Sequence, residues 1–321
     1  MKKQVFASSI LLLVSVIWGL AFVFQDIAIK YISSFTISAI RFLFASIALA
    51  PVVIYRHCHK KKDDKEEGNN KNNFFSKDLL VGGLICGLML CAGGVLQQYG
   101  LVYHTVGKTG FITTSYILII PIISLFFKKY SSWNTYLAVV IAMCGVYLLC
   151  TDGGLSFEWS DSILFGSAFS YAIQIMCVNY LVNEKHLDPV DLSLVQLIYS
   201  SIISGIIALF VDKGQVTWEG VLNATPSLLY IGVISAAIGY TLQNVTQKYI
   251  PETIAGLIMS LESVFSLIFG VFVLKQEMHT AELIGCIIIF SAVVLAQLPL
   301  NEWIKVHKEN KVFTKSEVKE K

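Results

Sequence analysis

The feature that most constrains this chain is a succession of ten apolar runs, each about as long as a bilayer is thick: residues 5–24, 35–55, 79–103, 107–127, 133–150, 162–182, 190–211, 226–247, 253–274 and 281–298. A helix needs roughly 20 mostly apolar residues to cross the hydrocarbon core. Backbone amides that meet no water there must be bonded within the segment itself, so such runs read as helices. The expected fold is an all-α integral membrane protein with ten transmembrane helices. Composition agrees, with 55% hydrophobic and only 14% charged residues and a mean hydropathy of +0.67, where soluble domains carry about a quarter charged residues. The first run follows a basic start, but it is too long for a signal-peptide core and lacks a small-residue cleavage site, so it reads as the first span.

Polar residues collect between the runs, and their sign orients the chain. With the N-terminus inside and the spans alternating, the inner segments hold 19 Lys and Arg and the outer ones only four, Lys30, Lys108, Lys213 and Lys275. That asymmetry puts both termini in the cytoplasm of a multi-pass protein of the cytoplasmic membrane. The long polar insertion at 56–77 reads as a disordered cytoplasmic loop by its charge and Asn content, and residues 301–321 as a cytoplasmic polar tail. His57, Cys58 and His59 in the insertion have no second ligand pair at zinc-site spacing. The seven cysteines show no paired spacing, and six lie in apolar runs as small hydrophobes. Neither metal, cofactor, disulfide nor nucleic-acid partner is expected.

The two halves echo each other. Residues 96–129 laid over the stretch 146 positions later pair Leu96 with Leu242, Gln97 with Gln243, Tyr103 with Tyr249, Gly110 with Gly256, Ile112 with Ile258, Ile122 with Ile268 and Phe126 with Phe272, without a gap. The domain reading is a first five-helix repeat over 1–150 and a second over 151–300. Five is odd, so the second enters the membrane in the opposite sense. Inverted repeats of this kind are a common plan of alternating-access transporters, with a site near the midplane.

Candidate site residues follow from the polar positions inside the runs. Glu262 stands in the middle of the ninth run, where a charge costs at least about 2.5–3.5 kcal/mol and is usually turned to a bundle interior or a watery cavity. Ala255, Met259, Glu262 and Ser266 share one helix face by their spacing. A carboxylate there is the candidate for proton coupling, and Arg41 in the second run is its candidate charge partner, the alternative for Arg41 being an arginine that anchors its helix at the boundary. Trp18 and Gln25 in the first run, Gln97 and Gln98 in the third, Thr113 and Tyr116 in the fourth, Tyr171 and Gln174 in the sixth, and Tyr240 and Gln243 in the eighth supply amides, hydroxyls and rings suited to a polar solute. His104 reads as a solvated interfacial histidine. Gly83 with Gly87, and Ser235 with Gly239, read as close-packing pairs, and Pro121 as a kink beside the cavity.

No HExxH, GxSxG or Walker-type motif is present, which argues against a metalloprotease, a serine hydrolase and an ATP-driven pump. An intramembrane enzyme using Glu262 or His104 as acid or base, or a membrane scaffold that carries nothing, stays open as an alternative to a transporter.

The residues also carry a family resemblance. Trp18-Gly19, AIRFLFA around Arg41, GKTGFITTSYILIIP, AGLIMSLESVFSLIFGVFVL and ELIGCIIIFSAVVLA resemble the ten-helix EamA type of the drug/metabolite transporter superfamily over nearly the whole chain, outside the 56–77 loop and the tail. The resemblance implies two five-helix halves around a central cavity, and export or exchange of a small polar metabolite such as an amino acid, with protons and the bilayer as the other partners. Two positions depart from the family pattern. Ser263 stands where proline often follows the glutamate, and the usual LGE after that helix reads Leu274-Lys275-Gln276-Glu277.

Overall fold

The computed structural model describes residues 2–67, 76–128, 131–150, 158–212, 216–277 and 280–297, and every regular element in them is a helix. In order these are α1 (Lys2–Ile29), α2 (Ser34–Glu67), α3 (Lys77–Gly100), α4 (Val106–Thr113), α5 (Tyr116–Phe126), α6 (Trp133–Cys150), α7 (Trp159–Asn183), α8 (Pro189–Val211) and α9 (Trp218–Leu229). A π-helical segment (Tyr230–Gly239), α10 (Tyr240–Thr246), α11 (Glu252–Met259), α12 (Leu261–Leu274) and α13 (Thr280–Gln297) complete the chain. Among the described residues eight helical stretches are long and apolar enough to cross a membrane, and two shorter apolar helices, Trp133–Gly145 and Leu283–Ala296, accompany them. Three of the eight are composite: α4 runs into α5, α9 through the π-helical segment into α10, and α11 into α12. The fold is that of a multi-pass membrane protein.

Packing follows a pattern that survives exchange of the two halves. Helix α2 packs on α8, and α6 on α13. Helix α3 lies against α7 and α8, while the π-helical segment and its flanking helices lie against α1 and α2. Helix α1 packs on α12, and α7 on α4 and α5. The α2–α8 pair is clamped at both ends. Ser33 and Thr36 donate hydrogen bonds to Asp212 at one end, and Arg56 grips Asp188 through two hydrogen bonds of 3.1 and 3.0 Å at the other, beside His57 on Asp191 at 2.9 Å. Asp188 also accepts from the first amides of α8. Burial pushes its carboxyl up, but the Arg56 bond, the Arg56 charge and those amides together hold it below the usual value.

The breaks in the composite spans have a local cause. After α4 the Thr114 hydroxyl bonds the carbonyl of Phe111 at 2.8 Å, and the backbone tightens to three-residue bonds from Ser115 to Ile112, Ile117 to Thr114 and Leu118 to Ser115. After α11 the Ser260 hydroxyl bonds the carbonyl of Leu257 at 2.7 Å, and Ser263 N bonds Ser260 O. Hydroxyls that bond back to their own helix bend it, and a tightened turn in mid-helix often marks a hinge. The kink expected at Pro121 therefore lies upstream of it. The matching break has Leu267 where Pro121 would fall, so proline is not its cause.

Two further expectations are corrected. The insertion at 56–77 begins as helix, because α2 continues to Glu67 through a stretch of Lys, Asp and Glu without Gly or Pro, and Lys and Glu are good helix formers. Residues 68–75, where Gly68 and the Asn cluster begin, lie outside the described residues, as does the 301–321 tail. The eighth span starts at Trp218, well ahead of Pro226, because Thr217 caps it by accepting from Gly220 N at 3.1 Å.

Helix α12 ends on Lys275 in the left-handed conformation, with φ 59°, where the resembled family places glycine close after the leucine. A side chain bearing a Cβ costs roughly 1–2 kcal/mol in that region. Lys275→Gly is expected to raise the thermal unfolding midpoint of the purified protein by a few degrees. An unchanged or lowered midpoint would contradict a strained cap.

Candidate functional site

The two breaks converge on a small cavity in the bundle interior. Helix α1 contributes Trp18, Ala21, Phe22 and Gln25, α2 contributes Arg41 and α3 contributes Gln97. Tyr116 opens α5 and Glu262 is the second residue of α12, while α7 supplies Tyr171, Gln174 and Ile175. Ser235, Tyr240 and Gln243 close the wall from the π-helical segment and α10.

Glu262 sits in the first turn of α12, 4% exposed. The break in the ninth span, at Ser260, therefore falls beside Glu262. Tyr116, 146 positions earlier and in the same place of its own broken span, donates its hydroxyl to Glu262 Oε1 at 3.3 Å. On the facing wall Tyr240 bonds Tyr171 at 3.5 Å, and Tyr171 donates to Gln97 Oε1 at 3.4 Å. The Trp18 ring lies 5.1 Å from that of Tyr240, and its indole donates to the Ser235 carbonyl at 3.0 Å. A chain of amides closes one end: Gln243 donates to Gln174 and Gln174 to Gln196, each at 3.2 Å. Nearby, Asn179 and Asn183 both donate to the Gln247 carbonyl.

The structure brings ten of the residues singled out by sequence to this cavity: Trp18, Gln25, Arg41, Gln97, Tyr116, Tyr171, Gln174, Tyr240, Gln243 and Glu262. Gln98 is fully buried but does not line it, because the next residue on a helix turns about 100° away. Thr113 is also outside, its hydroxyl spent on the Thr109 carbonyl at 2.8 Å. Arg41 shares the cavity with Glu262, yet no ion pair joins them; the carboxylate's hydrogen bond is to Tyr116. Ala21 and Ile175, being apolar, were not legible in sequence. Ser235, expected as a close-packing residue, lies in the π-helical segment and lines the cavity.

His104 is not a solvated residue. Its side chain is 2% exposed, with Nε2 3.2 Å from Asp161 Oδ1 but off the hydrogen-bond direction, and Lys108 Nζ lies 3.1 Å from the same oxygen. The cluster ties the α3–α4 turn to the start of α7. Burial, with the Lys108 charge, holds the imidazole below its usual value against the pull of Asp161 and Glu158. Such a group stays neutral in the fold while the unfolded chain takes up a proton. Its contribution is therefore present above the ordinary imidazole value of 6.5 and is lost as pH falls below it. Between about pH 7.5 and about pH 5.5, the thermal midpoint of the wild-type protein is expected to fall further than that of His104→Gln. An equal fall in both would contradict a buried neutral histidine.

Comparison with known proteins places this geometry in a family context. The model of the EamA-like transporter family matches residues 5–151 and again residues 158–298. A relative from Archaeoglobus fulgidus, described as an uncharacterized transporter, is 27% identical over 298 residues, covering 92% of this chain and 87% of its own. The uncharacterized transporter YetK of Bacillus subtilis is 25% identical over 310 residues, covering 93% and 90%. A protein of known crystal structure superposes with a TM-score of 0.71 at 14% identity, over 91% of this chain and 95% of that one, and so shares the fold.

Proposed function

The chain belongs to the EamA-like transporter family of the drug/metabolite transporter superfamily, and on that premise we propose that it is a secondary transporter of the cytoplasmic membrane, exporting or exchanging a small polar metabolite such as an amino acid by alternating access. One observation carries this reading. Tyr116 and Glu262, 146 positions apart, each stand in the first turn of the second half of a broken span and meet beside the cavity. Broken helices whose inner ends face a midplane cavity are the usual way a transporter holds its cargo.

In this account ten spans form two inverted five-helix halves, 1–150 and 151–300. The packing that survives exchange of the halves supports it, as do two separate family matches. The Lys and Arg asymmetry supports termini in the cytoplasm. In that orientation the amide chain of Gln243, Gln174 and Gln196 closes the cavity toward the cytoplasm, and opening requires those bonds to part. The hydroxyl-bonded breaks at Thr114 and Ser260 are the hinges about which α5 and α12 swing. Glu262 takes up and releases a proton as its surroundings alternate between water and the closed bundle, since a carboxylate's proton affinity depends on its solvation.

The test is transport by the purified protein in proteoliposomes, with a panel of amino acids and related metabolites, with and without an imposed pH gradient. Movement of an unmodified solute is expected; if correctly folded protein moves none of the panel, the reading fails. Glu262→Gln is nearly isosteric and is expected to keep folding and cargo binding while losing the response to the gradient, with Glu262→Asp keeping part of it. Unchanged pH dependence in the Gln variant would remove proton coupling from this residue. Cys58 is expected to resist an impermeant thiol reagent applied outside intact cells, and its labelling would overturn the orientation.

A further inference from the structure

Arg41 is 3% exposed and lines the cavity, yet its Nε and Nη2 have no hydrogen-bond partner among the described residues. A buried guanidinium edge left unpaired is costly, and native proteins keep one only where something else satisfies it. No carboxylate of the described residues does so, because the ion pairs lie elsewhere and Glu262 bonds Tyr116. The Tyr171 hydroxyl accepts a hydrogen bond from the guanidinium, and packing holds the rest of the head group in place. Its Cζ stands 4.7 Å from the centre of the Phe42 ring, and Nη2 lies against Gly94, where a Cβ would come within 2.7 Å of it.

We infer that Arg41 seats the carboxylate of the cargo, so that the transported solute is a small monocarboxylate. This deepens the transporter reading and rests on it. Nε and Nη2 form one edge of the planar guanidinium, and two parallel N–H donors on one edge match the two oxygens of a carboxylate. Charge selects among anions. Arg41 is the one cation and Glu262 the one acid among the residues lining the cavity, so Arg41 balances one negative charge of a solute when Glu262 carries a proton or faces an ammonium of that solute, and the second charge of a phosphate ester would be buried without a partner. The unpaired Gln25 Oε1 on α1 adds an acceptor for an N–H or O–H of the same solute.

Binding to the purified protein tests this with matched probes: alanine, threonine, leucine and phenylalanine, each beside its primary amide and its phosphate-bearing analogue where one exists. For any amino acid that binds, the amide is expected to bind about ten- to a hundredfold more weakly, as loss of a charged hydrogen-bond pair predicts. Arg41→Gln is expected to erase that preference, and Arg41→Lys, which keeps the charge but loses the fork, to retain a small part of it. Equal binding of acid and amide by the wild type, tighter binding of a phosphate analogue, or a preference that survives Arg41→Gln overturns the assignment. Transport of neutral or cationic solutes alone overturns it too and leaves the transporter reading standing, whereas no transport of any solute removes that reading itself. Should Arg41→Gln not fold, the acid-to-amide ratio of the wild type and of Arg41→Lys decides the matter.

Discussion

Everything in this molecule depends on how a carboxylate is kept in the middle of an apolar bundle. Glu262 cannot be compensated by water at that depth, and the chain compensates it locally. Its span breaks at Ser260 and restarts at Leu261, and a tyrosine from the equivalent break donates to it. The break lies beside the cavity that Glu262 lines. It also interrupts the rigid helix that would otherwise join the two membrane faces.

The same device accounts for the symmetry and for its limits. Gln97 and Gln243 occupy equivalent places and both line the cavity, but Tyr116 stands opposite Glu262, so only one half brings the acid. On the other side Gln196 is held in an amide chain with Gln174, while Arg41 keeps one edge of its guanidinium unbonded. Near-symmetry is what the proposed alternating access would require of the two halves. The departures from it give the cavity one acid, one base and therefore a polarity.

Much of this was legible in sequence because the bilayer is an exacting solvent. Apolar run length found the spans, and polar residues inside those runs found most of the cavity wall, Glu262 and Arg41 included. What stayed hidden depends on local hydrogen bonding or on rotation about a helix. Thr114 and Ser260 break their spans through bonds to their own backbones, which hydropathy does not register, while Pro121, the conspicuous breaker, does not sit at the break. Gln97 and Gln98 are indistinguishable by composition, and only the packing of α3 on α7 decides which reaches the cavity. His104 was misjudged because its partner, Asp161, is far away in the chain and close in space. The charged stretch after Arg56 read as a loop although its residues favour helix.

The central claim is that the two halves exchange conformations about the Tyr116–Glu262 contact, and paired spin-label distances in lipid nanodiscs test it most directly. One pair would join Lys30 to Val102, at the shared end of α1 and α3, and the other Glu184 to Lys248, at the shared end of α7 and α10. On adding a transported solute the account predicts that one distance lengthens as the other shortens. Two distances that both stay fixed, or that move together, would contradict it.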